Sequence, residues 1–344
     1  MSGGKQEMVD RNTCINLHFY GLDLELRSAD TKTIEGIRRD FSYFEAASAM
    51  PEVSIEVFVR KPPYNLLPNL PASIHTLHYV SYRGKEYIFT DYHGRGLRIF
   101  NPRKKEYEIF SESADLRYEI SYVTVLSAVG QFLDLKHIHR VHALGVSQNG
   151  KAILILLPQK GGKSTLALRL LRSGQVKLLS DDSPLLTRQG EVLPFPLRLG
   201  ILPGGESDIP ARYLRPVNLM QIGTKIMVDV DYFADKIGSI CQPGVILLGE
   251  RTLGCESRIE PTRKLGAAKE FIKSSVIGLG LAQGVEYLLG RNIWQTLGKT
   301  GLACSRLNNS LKVLSRSQVY RYVIGHDPER NQQVLLRFLQ NLHL

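Results

Sequence analysis

Cysteine is scarce and scattered. Cys14, Cys241, Cys255 and Cys304 form no CxxC pair and stand beside no cluster of other ligands, so neither a disulfide framework nor a zinc site is expected. The four thiols read as reduced and mostly buried. Long apolar runs are missing as well: the longest, such as residues 152–157 and 245–248, fall short of the roughly 20 residues that a membrane-spanning helix needs. Residues 1–12 are polar and lack the apolar stretch of a signal peptide, so a cytoplasmic protein is expected. Internal repeats and low-complexity tracts are absent too. Acidic residues number 33 against 44 lysines and arginines, a net charge of +11. That balance favours anionic partners such as nucleotides, nucleic acids or charged surfaces. The basic residues are scattered and no RNA- or DNA-binding motif stands out, so nucleic acid is not expected as a partner.

What is present is the composition of an ordinary soluble protein, 43% hydrophobic and 22% charged over 344 residues, a length that favours two domains. The first, residues 1–114, reads as mostly antiparallel α+β. Ile15, Leu17 and Phe19 alternate, as do Val53, Ile55, Val57 and Val59, which is the period of a half-buried strand. Between them Ile34, Ile37, Phe41 and Phe44 recur at helical steps after the polar start at Ser28-Ala29-Asp30-Thr31. Pro62, Pro63, Pro68 and Pro71 mark an irregular connection, and four short β-runs follow, divided by glycine-containing turns, as in a meander. No catalytic constellation stands out there, and the region reads as a platform or recognition module. Leu116, Ile120, Val123, Leu126, Val129 and Leu133 predict a linking helix over 115–136. From 137 to 344 the pattern becomes strand, loop, helix, strand, with a strand over 140–146. His137 and His139 read as surface or linker residues, a further helix is expected over 262–274, and the end of the chain reads as a strand over 319–324 and a helix from Pro328.

The chemistry gathers at one loop. Ala152-Ile153-Leu154-Ile155-Leu156 reads as a buried strand and Thr165-Leu166-Ala167-Leu168 opens a helix; between them lies Gly161-Gly162-Lys163-Ser164. Backbone N–H groups and a positive helix end wrap a phosphate only where the chain bends tightly, which the glycines permit. Lys163 would reach the β- and γ-phosphates of ATP, and the Ser164 hydroxyl would ligate Mg²⁺. Thr165 offers a second hydroxyl or a helix cap. Leu157 stands where the full P-loop pattern has its first glycine. After one more strand come Asp181 and Asp182, two adjacent carboxylates suited to two tasks, one holding Mg²⁺ and one taking a proton from an attacking hydroxyl.

Val141-His142-Ala143-Leu144-Gly145-Val146, Asn149-Gly150, Gly162-Lys163-Ser164 and Ser180-Asp181-Asp182 together resemble the catalytic domain of HPr serine kinase/phosphorylase and its wider kinase relatives, whose core resembles that of PEP carboxykinase. The likeness runs over residues 141–182. It implies an α/β P-loop kinase domain of HPr-kinase/PEP-carboxykinase-like type behind the smaller α+β domain. It further implies that Lys163 binds phosphate, Ser164 binds Mg²⁺, Asp181 is the base, Asp182 assists with metal or base, and His142 orients Asp181. Departures from the family lie at Leu157, Gln159 and Lys160, in a one-residue longer spacing to the aspartates, and in the segment 194–201, where the family's glutamate is missing. HPr is therefore not the expected substrate. The chain is more similar to HPr-kinase-like tailoring enzymes, some resembling lasso-peptide serine kinases, so the expected reaction is transfer of the γ-phosphoryl group of Mg-ATP to a hydroxyl, a serine of a peptide or small protein. Arg198 is a candidate contact for substrate or phosphate, with Arg258 and Arg263 as further candidates. HPr kinases form rings, which leaves a homo-oligomer open. The alternative reading is a catalytically weak module whose partner binding responds to ATP.

Overall fold

The computed structural model describes residues 13–47, 50–157, 162–201, 204, 208–220, 223–272, 274 and 293–342, with backbone alone for 293–300. The chain forms two compact units, Met1–Val129 with Pro216–Lys225, and Gly130–Arg215 with Ile226–Leu344. The division falls inside the helix expected as a linker, not at either of its ends, and a segment from the second half of the chain belongs to the first unit. Among the described residues no helix is long and apolar enough to cross a membrane.

In the first unit β1 (Cys14–Phe19), β2 (Leu22–Ser28), α1 (Thr31–Phe41), β3 (Val53–Phe58), β4 (Ala72–His75), β5 (Val80–Arg83), β6 (Ile88–Asp91), β7 (Leu97–Asn101) and β8 (Glu106–Phe110) precede α2 (Ala114–Leu135). The strands form one sheet in the order β1-β2-β3-β8-β7-β6-β5-β4. The expected meander is β5 to β8, all antiparallel. Pairing of β2 with β3 and of β3 with β8 is parallel, and strands β2 and β4 add to those read from the sequence. Asp30 caps α1 by accepting from Lys32 N–H, and Ile34, Ile37 and Phe41 form its buried face. The helix ends there because the chain tightens into a 3₁₀ turn, Ser42–Phe44. Phe44 still packs on Phe19, with ring centroids 4.4 Å apart. Asp30 also receives Arg117 from α2 at 2.6 Å, both side chains being nearly buried.

The second unit contains β9 (His139–Arg140), β10 (Leu144–Gln148), β11 (Lys151–Leu156), α3 (Lys163–Arg172), β12 (Lys177–Ser180), β13 (Leu185–Leu186), β14 (Val192–Leu193), β15 (Leu199–Ile201), β18 (Gln242–Arg251), β19 (Arg258–Pro261), α4 (Lys264–Ile272), α5 (Ile293–Arg316), β20 (Gln318–Ile324) and α6 (Pro328–Gln340), while β16 (Leu214–Leu219) and β17 (Gly223–Val228) are divided, their residues 216–225 belonging to the first unit. Its main sheet has the order β12-β10-β11-β18-β20-β19. Strand alternation gives this sheet two apolar faces. Ile153, Ile155, Val245 and Leu247 pack with Leu168 and Leu171 of α3 and Leu335 and Leu339 of α6. The intervening Leu154, Leu156 and Ile246 pack with Ala267 and Phe271 of α4 and Val313 and Leu314 of α5. Each fully buried Leu or Ile contributes roughly 1.5–3 kcal/mol by leaving water, so the central strands are fixed from both sides. Of the four free thiols, Cys14 and Cys241 are buried, but Cys255 and Cys304 are exposed, which corrects the expectation for half of them.

One glycine closes the exit of β20. Asn331 donates its side-chain amide to the Gly325 carbonyl and accepts from Gly325 N–H. A Cβ on Gly325 would lie 2.7 Å from Cys255 C and Glu256 O and 2.8 Å from Gly254 O. These are backbone atoms and cannot swing aside. Gly325→Ala is expected to cost about 3 kcal/mol, the upper end of ordinary overpacking, and to lower the thermal midpoint by several degrees in a calorimetric scan. An unchanged midpoint would contradict the close approach.

Candidate functional site

Strand direction explains how distant residues meet. β10 runs antiparallel to β11 and to β12, so its start lies beside the ends of both neighbours. His142, two residues before β10, is therefore delivered to the edge where β11 leads toward Lys163 and β12 delivers Asp181 and Asp182. The β10–β11 turn is Asn149-Gly150, both at positive φ (49° and 74°), the geometry that a two-residue hairpin of matching twist requires. The strand expected over 140–146 is interrupted. β9 ends at Arg140, and His142 sits on the bend before Leu144, with its N–H donated to Ser274 O at 3.1 Å. Freed from the ladder, the ring is turned into the cluster.

β11 is buried from Ala152 through Leu156. Gly161, expected to cradle phosphate, lies outside the described residues together with Gln159 and Lys160. Gly162 caps α3 in the left-handed region, φ 79°, where a side chain would be strained. Lys163 is then the first helical residue, and Ala167, Leu168, Leu170 and Leu171 bury the far side of the helix. At β12 the Ser180 hydroxyl accepts the Ser183 N–H at 3.0 Å, which fixes the turn that carries the two aspartates.

Four contacts tie the five side chains into a triangle and a neighbouring pair. Lys163 Nζ lies 2.7 Å from His142 Nε2 and 3.2 Å from Asp182 Oδ1; His142 Nδ1 lies 3.1 Å from the same Asp182 oxygen. The ammonium has only protons to give, so Nε2 accepts and the imidazole donates its Nδ1 proton to Asp182. The fourth contact is Ser164 Oγ–H to Asp181 Oδ2 at 2.9 Å. Burial pushes the Asp181 carboxyl up to about 7, with the charge of Asp182 acting in the same direction against Ser164 and Lys163. For Asp182 burial also acts upward, but the His142 hydrogen bond and the Lys163 charge outweigh it and hold the carboxyl below its usual range. Asp182 still keeps 51% of its side-chain surface open to solvent, so the cluster is reachable from outside rather than sealed in the core. The two adjacent acids are thus driven apart in proton affinity, a pattern typical of acid–base sites.

No protein-family model matches the sequence, and no curated protein matches it. The site therefore rests on its own chemistry. Because Ser164 spends its proton on Asp181, its lone pairs are available to a hard cation. Mg²⁺ commonly takes one or two protein oxygens and completes its shell with substrate phosphates and water. The Ser164 oxygen and one of the two adjacent carboxylates fit that donor set. Among the described residues no group of three His, Cys, Asp or Glu is gathered as in an all-protein metal cage.

The remaining candidates fall elsewhere. Thr165 is exposed on the first turn of α3. Arg198 is 9% exposed, immediately before β15. Arg258 is ion-paired with Glu260 and Glu256 on β19, three strands from β11 and hence about 14 Å away across the sheet. Arg263 is exposed just before α4. The expectation for His139 is corrected: it is 1% exposed and hydrogen-bonded on both ring nitrogens.

Proposed function

We propose that the second unit is a P-loop phosphotransferase of HPr-kinase/PEP-carboxykinase-like type that moves the γ-phosphoryl group of Mg-ATP to a hydroxyl, namely the serine of a peptide or small protein in the cytoplasm. The observation that carries the reading is the closure of Lys163, His142 and Asp182 within 3.2 Å beside the Ser164–Asp181 pair. A lysine at a glycine-capped helix start, a hydroxyl following it and two carboxylates at a strand exit are the parts that phosphoryl transfer needs. Most of its catalysis is positioning and charge neutralisation.

In this reading the N–H groups at the start of α3 and the Lys163 ammonium would hold the phosphates, while Ser164, assisted by Asp182, would hold Mg²⁺, which would supply neutralisation of the developing charge. Asp181, poised near neutrality, takes the proton of the acceptor hydroxyl as the new O–P bond forms and the bond to the leaving diphosphate breaks. Asp182 and His142 place the lysine and keep its charge beside the phosphates. Titration of the purified protein with Mg-ATP, followed by mass spectrometry of serine-containing peptides in the same tube, tests the proposal. Saturable binding and a peptide heavier by one phosphate are expected. Binding without transfer would move the reading to an ATP-responsive binding module, and an absence of binding would overturn it.

A further inference from the structure

A carboxylate, an imidazole and a hydroxyl stand in line in the second unit, outside the Lys163 cluster. Asp134, in the last turn of α2, meets His139 Nδ1 through Oδ1 at 3.0 Å, while its Oδ2 is fixed by Arg306 at 2.7 Å. The other ring nitrogen, Nε2, lies 2.8 Å from Ser305 Oγ on α5. Burial pushes the Asp134 carboxyl up, but the His139 hydrogen bond and the Arg306 charge outweigh it and hold the group below its usual range. An ionised acceptor at Nδ1 places the proton of the neutral ring there, which leaves Nε2 to accept. Ser305 then donates its only proton to Nε2, and its lone pairs accept from His137 Nδ1 at 2.9 Å. The contacts fix one arrangement of protons.

A network that merely ties α2 and β9 to α5 accounts for Arg306 and for Asn309, which donates to His137 O and Leu186 O. It does not require a half-buried serine on the accepting nitrogen of a ring aligned by a buried carboxylate. That order of groups is the one that activates a hydroxyl for attack. Ser305 is half-buried and its partner His137 is exposed. Gly301 precedes Ser305 by one turn, and among the described residues no atom lies within 4 Å of where its Cβ would be. His137 is exposed, with φ 58° at the end of α2, and puts a donor beside the oxygen.

We propose that Ser305 is a nucleophile that takes acyl groups from small carboxylic esters, with His139 as its general base and Asp134 as the group that orients the base. Oγ attacks the acyl carbon, its proton passes to His139 Nε2, and the bond to the leaving alcohol breaks as that proton is returned to the departing oxygen. Water then attacks the same carbon, giving one proton to His139, which returns it to Ser305 as the carboxylic acid leaves. Because Ser305 lies within α5, the surrounding backbone N–H groups are engaged in the helix. The acceleration expected is that of base activation, about 10²–10⁴-fold.

The test is labelling of the full chain, without nucleotide, by a fluorophosphonate probe, which bonds to an activated serine with loss of fluoride, and mapping of the adduct by mass spectrometry. An adduct on Ser305 is expected that is lost in Ser305→Ala and forms about 100-fold more slowly in His139→Gln. Should the buried His139→Gln variant fail to fold, selectivity within α5 decides: the half-buried Ser305 is expected to carry the adduct in preference to the exposed Ser315, and equal labelling of both would overturn the assignment. No adduct on Ser305, or the same rate in a folded His139→Gln variant, would overturn the assignment. The result is independent of phosphoryl transfer, since neither ATP nor Lys163 enters the reaction.

Discussion

Asp181→Asn is expected to stop phosphoryl transfer while Mg-ATP still binds. The substitution is nearly isosteric, and the amide oxygen can still accept the Ser164 hydroxyl that Asp181 accepts at 2.9 Å. What disappears is the capacity to take a proton near neutrality, which burial gives this carboxyl by raising it to about 7. Loss of a positioned base costs about 10²–10⁴-fold in rate. Lys163→Ala should behave in the opposite way: it removes the one ammonium that both His142 and Asp182 hold, so binding itself should fail. Calorimetric titration with Mg-ATP reads the first step and peptide mass spectrometry the second. Transfer by Asp181→Asn at close to the parental rate would sink the assignment of the base.

The second large effect is on stability. Arg117 and Asp30 are 6% and 10% exposed and meet at 2.6 Å, with Arg117 also donating to Ser111 O and Asp30 capping α1. Arg117→Ala would leave the buried carboxylate without its counter-charge, a change that costs about 3–5 kcal/mol. Burial acts to raise the Asp30 carboxyl, but its bonds to Arg117 and Thr33 outweigh this and hold it below the usual range. The folded state therefore binds this proton less readily than the unfolded chain does. The contribution is fully present above the unfolded value, about 3.9, and is lost as pH falls through the lower folded value. Urea denaturation followed by hydrogen exchange in α1 should show the full deficit of Arg117→Ala at pH 7, narrowing in strong acid. A deficit that is the same at both pH values would mean that the arginine acts by packing alone.

The sequence is most informative where partners are near in the chain. The Asn149-Gly150 turn, the apolar run of β11 and the glycine before Lys163 each carry a local signal, and with the aspartates they mark most of the cluster around Lys163. The bend at His142 has no glycine or proline to mark it, since the first in residues 140–146 is Gly145, and only pairing of β9 with β13 and of β10 with β11 and β12 forces the break. Which carboxylate accepts from Ser164 was equally invisible, since adjacent acids differ only in where the turn after β12 points them. His139 looks like a linker residue because its hydroxyl partner is 166 positions away. Parallel pairing of β2, β3 and β8 joins segments with no shared turn, so alternation shows the strands but not their order.

All five contacting side chains around Lys163 belong to residues 142–182, joined by one tight hairpin, one helix and one returning strand. Closing short loops costs little chain entropy, so these groups can assemble before β18 and β20 dock from far along the chain. Order of formation during refolding is thereby built into the spacing: amides of β10 and β11 on their shared side should gain protection early, and those of β20 late, in pulse-labelled exchange. A truncation within the last helix would then slow consolidation of the sheet without altering which residues first meet.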